Sequence, residues 1–267
     1  MAVKPLYIAV MVVVLALIVL GIYIYYIQLY YSVDQEVVYV SGEKVYLPLP
    51  RIRRDVLSVE EALAYRRSIR SYKDEPITLE QLSQLLWATY GITDPRRSFK
   101  TTPSAGATYP LEIYVVVKPE GVAIEESRYL EPGSYKYIPD QHAIALVKRG
   151  DLSENLMKAA LGQEWVRVAP VNIVIAAVFE RTTGYYGDRG VRYVYMEVGH
   201  AGQNVYLEAT ALGLGCVVVG AFYDEEVEKV VGLSPGEEPM YIIPVGIPQK
   251  PYRVSEEEIH QYIEKHR

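Results

Sequence analysis

The longest apolar run lies near the amino terminus. Residues 6–27 carry no charge, and as a helix this segment spans about 33 Å, enough to cross a bilayer core. Tyrosines gather at the carboxyl end of the run, where an aromatic belt is expected. We therefore predict an uncleaved, single-pass membrane anchor over residues 1–31. A cleaved signal peptide is the alternative, but the run exceeds a usual signal core and no small-residue cleavage site follows.

The charges flanking this run favour one orientation. Lys4 precedes it, whereas acidic residues and only Lys44 follow closely, which by the positive-inside rule places the amino terminus inside and the domain on the extracytoplasmic side. Residues 32–57 are predicted to form a tether with a small hairpin at Ser41-Gly42. The folded domain is predicted to span residues 58–267.

Two capping boxes open this domain. Ser58-Val-Glu-Glu61 predicts a helix over residues 59–67, and Thr78-Leu-Glu-Gln81 predicts a second helix that Gly91 ends. The apolar stripe of the second helix consists of Leu82, Leu85 and Leu86.

Runs of apolar or alternating residues predict the strands. They lie at residues 111–117, 133–137, 143–147, 171–179, 216–219 and 241–245. Residues 180–190 are predicted to be a polar, glycine-rich loop leading into a long helix over 191–212. Asp151, Asp224 and Ser255 are expected to cap further helices. Because strands and helices mix without regular βαβ alternation, we predict an α+β fold with a mostly antiparallel central sheet flanked by helices.

Composition narrows the function classes. The 267 residues are 50% hydrophobic, sufficient for a core, and the net charge of −6 argues against a nucleic-acid partner. The single cysteine, Cys216, excludes an intrachain disulfide and a cysteine-cluster metal site. Four scattered histidines show no ligand spacing, so no metal site is predicted.

Two segments carry candidate chemistry. Pro103, Ser104, Ala105 and Gly106 form a small-residue turn before an apolar strand, where a flat ligand can approach the backbone N–H groups closely. An ordinary loop entering a core strand is the alternative interpretation.

The second segment is Arg66-Arg67-Ser68-Ile-Arg70. Its three guanidinium groups and one hydroxyl suit an anion such as phosphate. Arginines that complement the dipole at a helix carboxyl end are the alternative.

Together with Val218-Val-Gly-Ala-Phe222, and in this order, these motifs resemble the FMN-dependent nitroreductase family. The match is to its SagB-type branch, the thiazole/oxazole-forming peptide dehydrogenase-like proteins. The resemblance covers roughly residues 58–253. Further matching motifs are Gly133-Ser-Tyr-Lys-Tyr-Ile-Pro139 with His142, Ala160-Leu-Gly-Gln-Glu-Trp165, Tyr186-Gly-Asp-Arg189, Glu197-Val-Gly-His-Ala-Gly-Gln-Asn204 and Pro244-Val-Gly246.

This resemblance implies a nitroreductase-like fold and an FMN site. Arg66 and Ser68, with neighbouring Arg67, would bind the phosphate and ribityl chain, and Arg70 would lie near flavin N1 and O2, where a cation stabilises the reduced flavin. The backbone N–H groups of Gly220 and Ala221 match donors to flavin N5 and O4.

The family also implies a homodimer with shared flavin sites. The turn formed by Pro103, Ser104, Ala105 and Gly106 would close over the flavin of the partner subunit. Lys250 and Arg253 resemble a carboxyl-terminal basic pair that completes phosphate binding. NAD(P)H is one candidate electron donor.

One departure concerns the substrate. Branch members that oxidise peptide azolines tend to carry Lys-Tyr where this chain has Tyr185-Tyr186, so only Tyr186 carries over as catalytic. We therefore predict a membrane-anchored, ping-pong oxidoreductase acting on a small nitro- or quinone-like electrophile. The alternatives are an azoline dehydrogenase, a reductive dehalogenase and, in a different class, a non-catalytic flavin-fold binding module.

Overall fold

The computed structural model describes residues 19–21, 23, 40–41, 44–54 and 56–267. Backbone contacts divide the chain into two units, Met1–Val38 and Tyr39–Arg267. In the first unit, Val19, Leu20, Gly21 and Tyr23 are helical. None of the helices in the described segments combines the length and apolar character needed to span a bilayer. Most of the anchor predicted over residues 1–31 lies outside these segments.

The second unit contains helices that alternate irregularly with strands. In chain order the helices are α1 Val59–Tyr65, α2 Leu79–Tyr90, α3 Ser153–Ala159, α4 Glu164–Val168, α5 Glu180–Tyr186, α6 Arg189–Ala211, α7 Asp224–Val231 and α8 Glu256–Lys265. The strands are β1 Val40–Ser41, β2 Lys44–Tyr46, β3 Ile77–Thr78, β4 Ile92–Asp94, β5 Phe99–Lys100, β6 Leu111–Val117, β7 Val122–Glu125, β8 Arg128–Tyr129, β9 Gly133–Ile138, β10 Ala143–Arg149, β11 Val171–Ala177, β12 Gly215–Cys216 and β13 Glu238–Gly246.

One large sheet organises the unit, with strand order β1-β2-β10-β9-β6-β11-β13-β12. Its strands all pair antiparallel with their neighbours, which confirms the predicted α+β class and mostly antiparallel sheet. The strands predicted at residues 133–137 and 143–147 form β9 and β10, which pair antiparallel, with Ile144 opposite Tyr137. Smaller sheets join β3, β7 and β8, and β4 with β5.

Helices cover both faces of the sheet. Val116, Val174 and Ile242 point to the face where residues of α3, α4 and α7 complete a buried cluster. Because side chains alternate along a strand, Val115 and Ile173 point to the other face, and they are equally buried. The long helix α6 packs against β6, β11 and β13. The central strands are therefore apolar on both faces, as predicted for residues 111–117.

The sheet begins before the predicted domain boundary. Strand β2 pairs with both β1 and β10, and Ile144 of β10 aligns with Val45. This strand falls within residues 32–57, the segment predicted as a tether, and it extends the sheet ahead of residue 58.

A segment without regular strand structure follows the opposite edge of the sheet. Ile69 N–H donates to Cys216 O at 2.9 Å, and Lys73 N–H donates to Ile247 O at 2.8 Å. Gln249 N–H donates in turn to Ser71 O at 3.1 Å. The backbone that follows α1 therefore covers the outer side of β12 and the end of β13.

The prediction of a loop over residues 180–190 is wrong. Residues 180–186 form α5, which Gly187 ends with a positive φ of 58°. Thr182 Oγ1 lies 2.8 Å from Thr108 Oγ1, and the Thr183 hydroxyl donates to Phe179 O at 3.1 Å. These contacts stabilise a helix that the low helix propensity of Gly184 argues against.

Two other helix starts differ in detail from the predictions. Asp224 is the first residue of α7 instead of its cap, since Tyr223 occupies the cap position without a side-chain bond. The carboxylate of Asp151 accepts from Ser153 N–H at 2.9 Å, but Leu152 occupies the cap position of α3, without a side-chain bond.

The capping box of α2 provides a test of the fold. Thr78 Oγ1 accepts from Gln81 N–H at 3.1 Å, and the Gln81 side chain accepts from Thr78 N–H at 2.9 Å. We expect Thr78→Ala to cost about 1 kcal/mol and lower the Tm by about 2–4 °C. Thermal unfolding followed by circular dichroism measures the change. Thr78→Ser keeps the acceptor and should unfold close to wild type; equal losses for both variants contradict a capping role.

Candidate functional site

The arginine-rich segment leaves α1 at Arg66 and runs alongside β12. Ser68 pairs with Cys216 in a parallel bridge, which holds the segment at the sheet edge. Arg66 and Ser68 both contact Tyr206 of α6, whereas Arg67 contacts a different group of residues. The structure thus separates Arg66 and Ser68 from Arg67, although the three are consecutive in sequence.

Tyr206 is central to this arrangement. Its hydroxyl lies 2.9 Å from Ser68 Oγ and accepts from Val218 N–H at 3.0 Å. The guanidinium carbon of Arg66 lies 5.0 Å from the centroid of its ring, within cation–π range. The sequence analysis did not select this residue. Its only signal is its position beside the buried Val205, at the margin of the apolar face of α6.

The segment after β12 exposes two backbone donors. Val219 exchanges both backbone hydrogen bonds with Ile242, at 2.9 and 3.0 Å, and Gln163 Nε2 donates to Ala221 O at 2.9 Å. Between these anchors Gly220 and Ala221 are exposed, and no acceptor for their N–H groups occurs among the described residues. A ligand with acceptor atoms can therefore bind two N–H groups that the fold already holds in place.

One side chain joins the two segments directly, and a second region lies close to both. Tyr206 joins Ser68 to Val218 at one end. At the other end, the guanidinium carbon of Arg70 lies 5.5 Å from the ring centroid of Trp165, two residues beyond Gln163. We call Arg66, Ser68, Arg70, Gly220 and Ala221 the basic cradle.

The charges of the basic cradle are not neutralised internally. In the part of the chain that the structure describes, neither Arg66 nor Arg70 has a carboxylate within ion-pair distance, whereas Arg128, Arg149 and Arg167 do. Arg70 also borders an open cleft of about 720 Å³, whose lining includes Asp74, Asp151 and Glu154 and none of the other cradle residues. An exposed hydroxyl at Ser68 between two unpaired guanidinium groups suits a bound anion.

The side chains of Arg67 and Arg253 contact tyrosines outside the basic cradle. The guanidinium carbon of Arg67 lies 3.8 Å above the ring of Tyr252, and Arg67 also donates to Arg66 O at 2.7 Å. Arg253 lies over the ring of Tyr65 at 4.6 Å and, with Arg67, borders a small cavity of about 30 Å³. Lys250 is exposed. The structure thus brings Arg253 to Arg67 through two tyrosines.

The small-residue turn has a strained backbone. Gly106, Ala107 and Tyr109 have positive φ values of 59°, 52° and 46°. Within the turn, the Ser104 hydroxyl accepts from Tyr109 N–H at 2.9 Å. Left-handed conformations at Ala107 and Tyr109 are unfavourable for residues with a Cβ atom, so surrounding contacts must hold them.

Those contacts come from three elements. Thr102 donates to Thr89 O at 2.8 Å and accepts from Asn204 of α6 at 3.0 Å. Arg181 of α5 donates to Tyr109 O at 3.1 Å. The turn of Pro103, Ser104, Ala105 and Gly106 is therefore attached to α2, α5 and α6.

Tyr186 lies against this turn. A methyl group added at Gly106 would lie 2.7 Å from the Tyr186 hydroxyl, so glycine permits the close approach. The Tyr186 ring also meets Tyr185 and Tyr193 edge-on, at centroid distances of 4.6 and 5.1 Å. No partner of the Tyr186 hydroxyl is found among the described residues. We call Pro103, Ser104, Ala105, Gly106 and Tyr186 the turn cluster.

A buried acid underlies the turn cluster. Tyr90 donates to Glu197 Oε1 at 2.6 Å, and Glu197 is 2% exposed. Burial raises the pKa of Glu197, against the opposing effects of hydrogen bonds from Tyr90 and Ser104 and of the Lys100 charge. Burial also lowers the pKa of Lys100, whose ammonium lies 4.0 Å from the Tyr90 ring centroid. The sequence analysis recognised Glu197 only as part of a motif.

Comparison with protein-family models matches residues 63–247 to the Nitroreductase family. A Methanocaldococcus jannaschii protein described as a nitroreductase, MJ1384, is 50% identical over 77% of this chain and 98% of its own length. The Escherichia coli microcin B17-processing protein McbC is 26% identical over 59% of this chain and 57% of its own length. A Ralstonia eutropha crystal structure described as a nitroreductase has a TM-score of 0.66 and 25% identity, covering 80% of this chain and 94% of that one.

The raised pKa of Glu197 provides a test of the buried network. The folded state holds this proton more tightly than the unfolded chain, so the stabilisation is complete below about pH 4.5 and is lost as pH rises through the folded pKa. Glu197→Gln has no such loss. We expect the Tm of the variant, relative to wild type, to increase as pH rises above 4.5.

Thermal melts at several pH values between 4 and 8 measure this effect. Glu257→Gln on the exposed helix α8 is the control, and its Tm difference from wild type should change little with pH. A pH-independent difference for Glu197→Gln contradicts ionisation of a buried Glu197.

Proposed function

Because the chain belongs to the nitroreductase family, we propose that it is an FMN-dependent oxidoreductase that works by a ping-pong mechanism on a small nitro- or quinone-like electrophile. The observation that carries the proposal is the basic cradle. Arg66 and Arg70, without carboxylate partners among the described residues, flank the exposed hydroxyl of Ser68. FMN carries a phosphate, an extended chain of hydroxyls and a ring edge rich in acceptors, and the donors of the cradle match these groups.

The residues divide the binding between them. In this proposal Arg66 and Ser68 hold the phosphate and ribityl chain, and the Arg70 guanidinium stabilises negative charge on the pyrimidine side of the ring. Gly220 and Ala221 donate their free N–H groups to the ring. Bound FMN supplies hydride and electron transfer, which none of the amino acid side chains provides. Arg67, Lys250 and Arg253 stay predictions for phosphate binding, since Arg67 and Arg253 contact tyrosines instead of the cradle.

The turn cluster is proposed to act in the partner subunit's site of a homodimer. Exposed apolar side chains support such an interface: on α6 Tyr195 is 58% and Met196 48% exposed, and on α1 Val59 is 65% exposed. In this arrangement Tyr186 presents its unpaired hydroxyl to the substrate. NAD(P)H is the proposed electron donor. The membrane anchor and an extracytoplasmic location of the domain stay predictions from the sequence.

Azoline oxidation is the second candidate, favoured by similarity to the microcin B17-processing protein McbC. Removing the proton beside the reacting carbon requires a base, and a neighbouring ammonium lowers the cost of a phenolate. Tyr185 stands in the position of that lysine, is 75% exposed and contacts Tyr186 by its ring. Nitroarene or quinone reduction needs no such base, so we favour it. Reductive dehalogenation and a non-catalytic binding module are further alternatives.

Cofactor binding tests the proposal. The full chain should purify with about one FMN per subunit, and Arg66→Ala should weaken FMN binding about 10- to 150-fold, since a hydrogen bond to a charged group contributes roughly 1.5–3 kcal/mol. Riboflavin, which lacks the phosphate, should bind almost equally to both proteins. Titration followed by flavin fluorescence gives the Kd values.

Arg128→Ala, at an exposed arginine of β8, is the control and should bind FMN like wild type. A wild-type chain that takes up no FMN favours the non-catalytic module.

Substrate turnover separates the two enzyme candidates. With NAD(P)H the FMN-loaded enzyme should reduce a nitroarene or a quinone and leave a thiazoline peptide unchanged. Tyr186→Phe should lower kcat about tenfold, the effect of one lost hydrogen bond. Tyr129→Phe, at a partly exposed tyrosine of β8, should retain wild-type kcat. Efficient thiazoline oxidation by the wild-type enzyme contradicts the favoured substrate class.

A further inference from the structure

We propose that Tyr206 is a positioning residue that directs the hydroxyl hydrogen of Ser68 toward the phosphate of FMN. The inference rests on the proposed function. It assigns a role to a residue of α6 that lies outside the arginine-rich segment predicted to bind the phosphate. It depends on three contacts of one side chain, to Ser68 Oγ at 2.9 Å, to Val218 N–H at 3.0 Å and to the guanidinium group of Arg66 at 5.0 Å.

The bond from Val218 N–H fixes one role of the Tyr206 oxygen and favours one direction for its bond with Ser68; we call the resulting chain of hydrogen bonds, from Val218 through Tyr206 to Ser68, the relay. The Tyr206 oxygen accepts from Val218 N–H, a donor that cannot reverse its role. The Tyr206 hydroxyl hydrogen is then available for Ser68 Oγ, the nearest acceptor. When Tyr206 donates to Ser68, the hydrogen of the Ser68 hydroxyl is free. Since Ser68 is exposed, this hydrogen can point to an anion in the basic cradle.

The relay makes the Ser68 hydroxyl a stronger hydrogen-bond donor. Successive hydrogen bonds in the same sense polarise one another, so the chain from Val218 N–H through Tyr206 makes the Ser68 hydroxyl a better donor to phosphate. Without the phenol oxygen, the Ser68 hydroxyl can rotate freely and Val218 N–H loses its partner. The ring contact with Arg66 does not involve the hydroxyl, so Tyr206→Phe tests the relay while it keeps the ring.

The measured quantity is phosphate discrimination, the ratio of the Kd of riboflavin to the Kd of FMN. We expect Tyr206→Phe to lower this ratio about tenfold, in line with a weakened hydrogen bond to a charged group. In a Ser68→Ala background, the same substitution should leave the ratio unchanged, because the relay then has no terminal donor. A purely structural role would weaken both ligands equally and leave the ratio of the single variant at the wild-type value.

Control variants keep the test decisive. Tyr135 of β9, four strands from β12, is another buried tyrosine, and its hydroxyl donates to Glu131 O at 2.6 Å. Tyr135→Phe removes this hydroxyl and should not change the ratio. At a pH low enough to keep the fluorinated phenol protonated, replacement of Tyr206 by 3,5-difluorotyrosine keeps both bonds and makes the hydroxyl a stronger donor. It should raise the ratio above that of wild type, even if Tyr206→Phe does not fold.

The outcomes are distinguishable. A lower ratio for Tyr206→Phe, absent in the Ser68→Ala background, supports the relay. Wild-type discrimination in Tyr206→Phe, or additive effects in the double variant, overturns the role of Tyr206 and leaves FMN binding intact. A wild-type chain that binds neither FMN nor riboflavin overturns both this inference and the proposed function.

Discussion

A single rigid helix determines how the two candidate ligand-binding regions are related. Glu197 and Asn204 of helix α6 bond to Ser104 and Thr102 at the small-residue turn. Tyr206 of the same helix bonds to Ser68 in the basic cradle. At 1.5 Å per residue, Glu197 and Tyr206 are separated by about 13 Å along the helix axis. Because the helix packs against three central strands, neither region can shift along it without disturbing the core. The position of each region within its own subunit therefore depends on polar contacts from a helix that otherwise packs by apolar side chains.

The strained turn shows how such contacts are used. Left-handed Ala107 and Tyr109 each cost on the order of 1–3 kcal/mol. The side chains of Asn204, Arg181 and Thr182 bind the residues around them, and each such hydrogen bond contributes about 1 kcal/mol. The strain and its compensation are of similar size. A turn balanced in this way keeps one conformation in the absence of ligand, so less ordering entropy is lost when a ligand binds.

Local signals predicted the fold better than the site. The capping boxes predicted at Ser58 and Thr78 depend on four consecutive residues, and both form; Ser255, predicted only as a cap, forms one as well. Helix α5 was missed because Thr108 and Tyr109, distant in sequence, hold it. The same limit applies to the site. The Arg66-to-Arg70 segment was found by composition, but Tyr206 contacts Ser68 across 138 residues. The position of Arg67 depends similarly on Tyr252, which nothing in the arginine motif itself indicates.

The backbone of the basic cradle also closes the sheet. Ile69 and Lys73 bond to Cys216 and Ile247, so the last strands do not present a free row of N–H and C=O groups at that edge. Open edges of this kind are templates on which strands of other molecules assemble. A substitution that loosens the segment would therefore expose an aggregation-prone edge at the same time as it weakens the proposed anion site. Substitutions tolerated in this segment are thus limited by the solubility of the protein as well as by ligand binding.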